Sequence, residues 1–261
     1  MTLLSDQADA VRALVESADP GAVWAVGGPD GPHAGSGAAD DVHDVGGLTG
    51  VLALWPAVGT LVDEGALHLH TPLTAYGAEA AADTPAGITA HHLLTHPGGT
   101  AALTRLVEHL SGSTLAELAA VRVWNPLGMT RTRLADGTLR APLDDLARFL
   151  RHVLHPSGPG DDGGAPAPAP PTPAWTAESL RIRTGELTPA RGLLWHPAPH
   201  GVWTHHAPTD PGPAVWISPR RHRWAVLLPA ARGPLRTTFR EAVFTPDGST
   251  RSAGPGGIPR V

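Results

Sequence analysis

Segments typical of β-strands lie near both ends of this chain, and segments typical of helices lie between them. An apolar strand is predicted near the start, at residues 22–26, and turn residues after it indicate a hairpin. Further strands follow at a spacing of about ten residues, at 192–195, 202–205, 214–218 and 224–228. Helical periodicity predicts helices at 6–17, 48–64, 88–95, 103–110, 115–123, 146–154 and 235–244. One antiparallel sheet built from both chain ends, with a helical insertion, is an α+β arrangement.

The predicted domain organisation follows from shifts in composition along the 261 residues. We expect one domain over residues 1–245, with its helical part at about 66–155 and its C-terminal strands within 192–228. Residues 158–174 are rich in Pro, Ala and Gly, which is typical of an extended linker. Residues 246–261 have a similar composition and are predicted to be a disordered tail.

Several residue types that carry chemistry are absent or rare. The chain has no cysteine and one tyrosine, and all 19 of its basic residues are arginines. This composition excludes disulfides, thiolate nucleophiles, Schiff-base chemistry and every Ser–Lys dyad. The net charge of −5 argues against nucleic acid as a partner. No apolar run is long enough to span a membrane, and residues 1–15 lack a basic leader pattern, so we predict a cytoplasmic protein without a membrane partner.

Four segments resemble, in the same order along the chain, conserved sequence motifs of one enzyme family. They are LVDEGALHLHTPL at 61–73, ITAHHLLTHPGG at 88–99, WNPLGMTRT at 124–132 and DLARF at 145–149. These segments resemble those of the serine β-lactamase-related proteins, which include class C β-lactamases, DD-peptidases and related esterases. The resemblance implies a serine β-lactamase/DD-peptidase-like fold, with an antiparallel sheet flanked by helices and a trimmed helical region.

The resemblance also shows where this sequence departs from the family's chemistry. The family uses Ser-x-x-Lys on a buried helix, and i, i+3 spacing brings the two side chains together. The matching segment, 44–51, has Gly47 at the serine position and Gly50 at the lysine position. Thr49 is the nearby hydroxyl, and without a base it is a poor nucleophile. The family's second motif has no counterpart after residue 99, and its third is matched only loosely by residues 206–212.

Histidines are the remaining candidates for function. His92 and His96 have the i, i+4 spacing of zinc ligands, but they match a structural part of the family, so no metal or other cofactor is predicted. His205 and His206 lie on a predicted strand and must point to opposite faces. The resemblance favours His206 as the one that faces the former site.

These observations predict a pseudoenzyme without catalytic residues. Its pocket would be formed at Gly47, Thr49, Gly50 and His206, and would hold a small molecule or a protein partner. An alternative is a repurposed enzyme that uses His206 as acid or base, with the helix N-terminus as an anion site. A third interpretation is a decaying gene product without a biochemical role.

Overall fold

The computed structural model describes residues 2–37, 39–155, 170–185, 189–209 and 211–245, with side chains from residue 6 onward. The helices are α1 (Thr2–Ala18), α2 (Trp55–Asp63), α3 (Ala90–Thr95), α4 (Thr100–Ser111), α5 (Leu115–Ala119), α6 (Leu143–Leu154), α7 (Pro173–Ser179) and α8 (Leu235–Phe244). The strands are β1 (Val23–Gly28), β2 (Gly31–Gly35), β3 (Val42–Asp44), β4 (Arg133–Ala135), β5 (Thr138–Pro142), β6 (His196–Ala198), β7 (Val202–His206), β8 (Ala214–Ser218) and β9 (Arg223–Leu228).

The main sheet has six antiparallel strands in the order β2-β1-β9-β8-β7-β6. Strand β1 from the start of the chain pairs along its length with β9, with Val23 opposite Leu228. The predicted α+β arrangement, with one sheet built from both chain ends, is therefore confirmed. The predicted N-terminal hairpin is β1–β2.

Helices cover both faces of this sheet, because its strands bury side chains on both sides. On one face α1 and α8 pack through residues such as Val11 and Phe239 against Trp24 and Trp216. On the other face the sheet contacts a larger core, which includes α2, α4 and α6. Trp195 and Trp224 are fully buried in this second core.

The predicted helix at 48–64 forms in three parts. A 3₁₀ turn at Gly46–Leu48 leads into a π-helical turn at Gly50–Leu54, and α2 continues from Trp55. Trp55 N–H bonds back to the Gly50 carbonyl, and the next residue, Pro56, has no N–H to donate. The helix therefore changes from π to α geometry at this proline.

A second sheet, which the sequence pattern did not indicate, has three antiparallel strands in the order β3-β5-β4. Two of these strands lie inside the part of the chain that was predicted to be helical. Each has five residues or fewer, so hydrophobic alternation is hard to detect in them.

Two predicted boundaries need correction. Residues 192–195 are not a strand, because Leu194 has φ +62° and the strand begins at His196. The predicted linker at 158–174 overlaps α7, which begins at Pro173 and is capped by the Thr172 hydroxyl. Residues 158–169 and the predicted tail at 246–261 lie outside the described residues. Within the described part of the chain, no helix is both long and apolar enough to cross a membrane.

Candidate functional site

The segment aligned with the family's nucleophile motif forms the entry to the central buried helix. Gly47 lies in the 3₁₀ turn, and Gly50 begins the π-helical turn. Thr49, between them, donates its hydroxyl proton to the Gly46 carbonyl at 2.8 Å. That hydrogen bond is local to the turn, so the Thr49 hydroxyl is engaged by its own backbone.

The space beside Gly47 is filled by the loop that follows β7. A Cβ atom built on Gly47 would lie 2.3 Å from the Cβ of Ala207, 3.0 Å from its Cα and 3.2 Å from the Cγ of Pro213. Carbon atoms in favourable contact are about 3.5–4.0 Å apart. Any side chain at position 47 would therefore require the Ala207 loop to move.

Hydrogen bonds hold this loop in place. Ala207 N–H donates to the Pro213 carbonyl at 2.9 Å, which closes the loop at its base. The Arg236 guanidinium, from α8, donates to the carbonyls of Thr209 and Gly212 at 2.7 and 2.8 Å. Charge-assisted bonds of this kind are stronger than neutral ones, so the loop resists displacement.

His205 lies against the second glycine of the motif. A Cβ on Gly50 would be 3.2 Å from Cε1 and 3.3 Å from Nε2 of the His205 imidazole. The Nδ1 atom of His205 lies 2.7 Å from the Leu194 carbonyl. Burial lowers the pKa of His205 to about 4, although hydrogen bonds to the backbone of Leu194 and Gly47 oppose this shift. At neutral pH, Gly50 therefore faces an uncharged ring.

His196 lies beside His205 and contacts two further polar side chains. The His196 ring is parallel to that of His205 at 6.4 Å, and the His206 ring is 6.0 Å from His196. Arg191 Nη1 lies 2.8 Å from His196 Nε2. Burial, and then the charge of Arg191, lower the pKa of His196 to about 4. The sequence analysis did not identify Arg191 or His196 as site residues. The feature that could have indicated them is their position in the segment next to the strand that carries His205.

His206 is placed differently from the expectation that it faces the former site. Its side chain is exposed, and Nδ1 lies 2.8 Å from the carbonyl of Ala207. The structure brings Gly47 and Gly50 close to β7 and its following loop, but the imidazole that contacts the motif is that of His205.

The fold is shared with a set of solved structures. The sequence matches no protein-family model and no curated protein. A class C β-lactamase from Rhodobacter sphaeroides superposes with a TM-score of 0.71 at 13% identity, covering 92% of this chain and 99% of that one. A D-alanine carboxypeptidase, AmpC, from Burkholderia cenocepacia gives 0.70 at 16%, with 92% and 98% covered. A β-lactamase from Mycobacterium bovis gives 0.65 at 20%, with 89% and 99% covered.

The chain has the serine β-lactamase and penicillin-binding-protein fold. The resemblance in four sequence segments is thus confirmed at the level of the fold. Because the three neighbours are covered almost completely, the alignment includes most of their helical and sheet regions.

Two of the four segments that carry the resemblance, 124–132 and 145–149, contact each other. The buried Asp145 carboxylate in α6 accepts hydrogen bonds from the Thr132 hydroxyl at 2.9 Å and from Arg131 N–H at 3.0 Å. Asp145 lies in the first turn of α6, and these two bonds hold the turn that precedes β4.

His92 and His96 take part in the local structure of α3. Thr89 and His92 form a capping box, with the Thr89 N–H 3.2 Å from His92 Nδ1. His96 Nδ1 lies 3.1 Å from the His92 carbonyl. Among the residues that the structure describes, no three His, Asp or Glu side chains converge as metal ligands.

Proposed function

We propose that this protein uses the β-lactamase fold for binding, without acyl-serine hydrolysis. The observation that supports this most strongly is the filled space at Gly47, where a Cβ would lie 2.3 Å from Ala207. A nucleophile at the family position needs a side chain there, and glycine has none. The proposed ligand is a small molecule or a protein partner at the predicted site of Gly47, Thr49, Gly50 and His206. Gly50 is buried there, so the ligand would contact the accessible part of this site, where His206 is exposed.

The neighbourhood of Gly50 supports the same proposal. In the family a lysine at this position helps to activate the serine, whereas this chain has no lysine. The adjacent His205 imidazole is neutral at pH 7 because burial lowers its pKa to about 4. It therefore supplies no positive charge to an anionic intermediate, and glycine at position 47 offers no hydroxyl for the neutral ring to deprotonate.

The test is the mass of the intact protein after incubation with a penicillin and, separately, with a fluorophosphonate. We expect no adduct with either reagent in protein that shows a cooperative thermal unfolding transition. Because the chain has neither cysteine nor lysine, background acylation is low and a small adduct would be visible. A stoichiometric adduct would overturn the proposal: its loss in Thr49→Ala would identify Thr49 as the activated hydroxyl, and its persistence would identify another one.

A second candidate is a repurposed enzyme that uses His206, and one observation favours it. The exposed His206 directs Nδ1 to the Ala207 carbonyl, so Nε2 is the atom that can exchange a proton with a ligand. Hydrolysis of p-nitrophenyl acetate tests this candidate. If His206 is catalytic, the hydrolysis rate exceeds the buffer background and falls by about tenfold or more in His206→Asn. The rate should be unchanged in His200→Asn, which is the matched variant at another exposed histidine.

The cellular location is also part of the proposal. We propose that the protein acts in the cytoplasm. Fractionation of cells that produce the untagged chain tests this, and recovery in the membrane or extracellular fraction would contradict it.

A further inference from the structure

The three-stranded sheet exposes a face that carries arginines. Alternate residues of its strands point to opposite sides, so Leu139 and Ala141 are buried against the core. The other side presents Arg133 of β4 and Arg140 of β5, and both are exposed. Arg131, just before β4, lies beside them and lines the same cavity.

Arg133 and Arg140 are directly opposite each other in the register of β4 and β5. Like charges in such a pair destabilise a sheet. Within the described residues neither guanidinium makes an ion pair, although the chain as a whole has a net charge of −5. The arrangement therefore does not serve the stability of the sheet.

The nearby carboxylates do not form ion pairs with Arg133 or Arg140 in the part of the chain that the structure describes. Asp44 is opposite Arg140 in register, and its Oδ1 accepts the Gly46 N–H at 2.9 Å. Asp40 pairs with Arg131 at 3.4 Å through a side chain that is 89% exposed. Exposed pairs of this kind are weak and are screened by salt, so a ligand can compete for Arg131.

The arginines line a cavity of about 350 Å³. Its wall also includes Thr138, whose hydroxyl is a hydrogen-bond donor, and the Asp136 carboxylate at the tip of the β4–β5 turn. The volume is that of a site for a small molecule. Arg131 pairs with Asp40, whereas Arg133 and Arg140 are the two guanidinium groups of the wall that make no ion pair within the described residues, and two such cations suit a phosphate monoester dianion.

We propose that this cavity binds the phosphoryl group of a small phosphate monoester. The planar guanidinium fork of arginine suits phosphate oxygens and can engage them in pairs. Arg133 and Arg140 would contact the phosphoryl oxygens, and Asp136 would accept a hydrogen bond from a hydroxyl of the ligand. This site is distinct from Gly47 and its surroundings, and the inference does not depend on the proposed function.

Calorimetric titration of the full chain with glycerol 3-phosphate, at constant ionic strength set with NaCl, tests the proposal. We expect saturable binding with one site per chain. Arg133→Gln combined with Arg140→Gln should weaken it by about tenfold or more. The matched control is Arg220→Gln with Arg221→Gln, which removes two exposed charges at a different turn and should change affinity by less than about twofold.

Several results would overturn the proposal. Binding that is absent in the wild type, or weakened equally in both double variants, would show that no built site exists. Acetate that binds as tightly as glycerol 3-phosphate would assign the cavity to carboxylates instead. Inorganic phosphate that binds more tightly than the ester would show that the cavity takes the free anion. Circular dichroism verifies that each variant is folded.

Discussion

The indole N–H of Trp175 donates a hydrogen bond to the main-chain carbonyl of Trp55 at 3.0 Å. The indole of Trp55 in turn donates to the Ser179 hydroxyl at 2.8 Å. Helix α7 has only seven residues, too few to be stable alone, and these two buried bonds attach it to α2. The Trp175 ring packs so closely on α2 that only glycine fits at position 59.

Gly59→Ala should destabilise the protein. Alanine in place of glycine inside a helix normally gains about 0.5–1 kcal/mol. Here the new Cβ would lie 2.5 Å from Cδ1 of Trp175, and such overpacking costs about 1–3 kcal/mol. Urea denaturation measures the free energy of unfolding, with Gly37→Ala as control because no atom lies within 4 Å of its added Cβ. A stabilised Gly59→Ala variant would contradict the packing described here.

Ser179→Ala should lower the free energy of unfolding by about 1–3 kcal/mol, because it leaves the buried indole N–H of Trp55 without an acceptor. The matched control is Ser17→Ala, at an exposed position of α1, which should be nearly neutral. Equal denaturation midpoints for the two variants would mean that the Trp55–Ser179 bond contributes little.

A double-mutant cycle tests the contact between positions 47 and 207. Gly47→Ala alone should destabilise the protein by about 1–3 kcal/mol, because its Cβ meets that of Ala207. In an Ala207→Gly background the same substitution should be milder, with a coupling of about 0.5–3 kcal/mol. Thermal and urea unfolding of the four proteins give the coupling, and purely additive effects would refute the contact.

Stability should fall as the pH decreases from about 6.5 to about 4. Both His196 and His205 have pKa values lowered to about 4, so in this range the unfolded chain binds protons that the folded chain does not. Their contribution is fully present above pH 6.5. The variant His196→Asn/His205→Asn should show a shallower dependence, whereas the exposed His200→Asn should retain the wild-type slope. Urea midpoints at half-unit pH intervals measure both slopes.

Sequence patterns predicted the elements that have long or continuous apolar segments. Helix α8 and strand β8 begin and end where the pattern placed them, and the apolar strand segments at both chain ends predicted the sheet in which β1 pairs with β9. The short strands β4 and β5 were missed because they offer too few residues to define a period.

The candidate site was predicted only in part. The alignment located Gly47 and Gly50, because the resembling segments that follow them determine which residues match the nucleophile motif. It could not show that Ala207 fills the adjacent space, because that contact joins residues 160 positions apart and depends on how the loop after β7 closes. Alternation correctly separated His205 from His206, but the side that faces Gly50 is set by the sheet's tertiary packing.

The loop after β7, which Arg236 holds by hydrogen bonds, also constrains which mutations the protein can accept at position 47. A serine that arose at position 47 would meet Ala207 and Pro213 and lower the stability of the chain before it offered any chemistry. A change in the loop that makes room for the serine would have to come first, and by itself that change offers no catalytic benefit. A nucleophile at this position therefore requires an earlier mutation that has no advantage of its own.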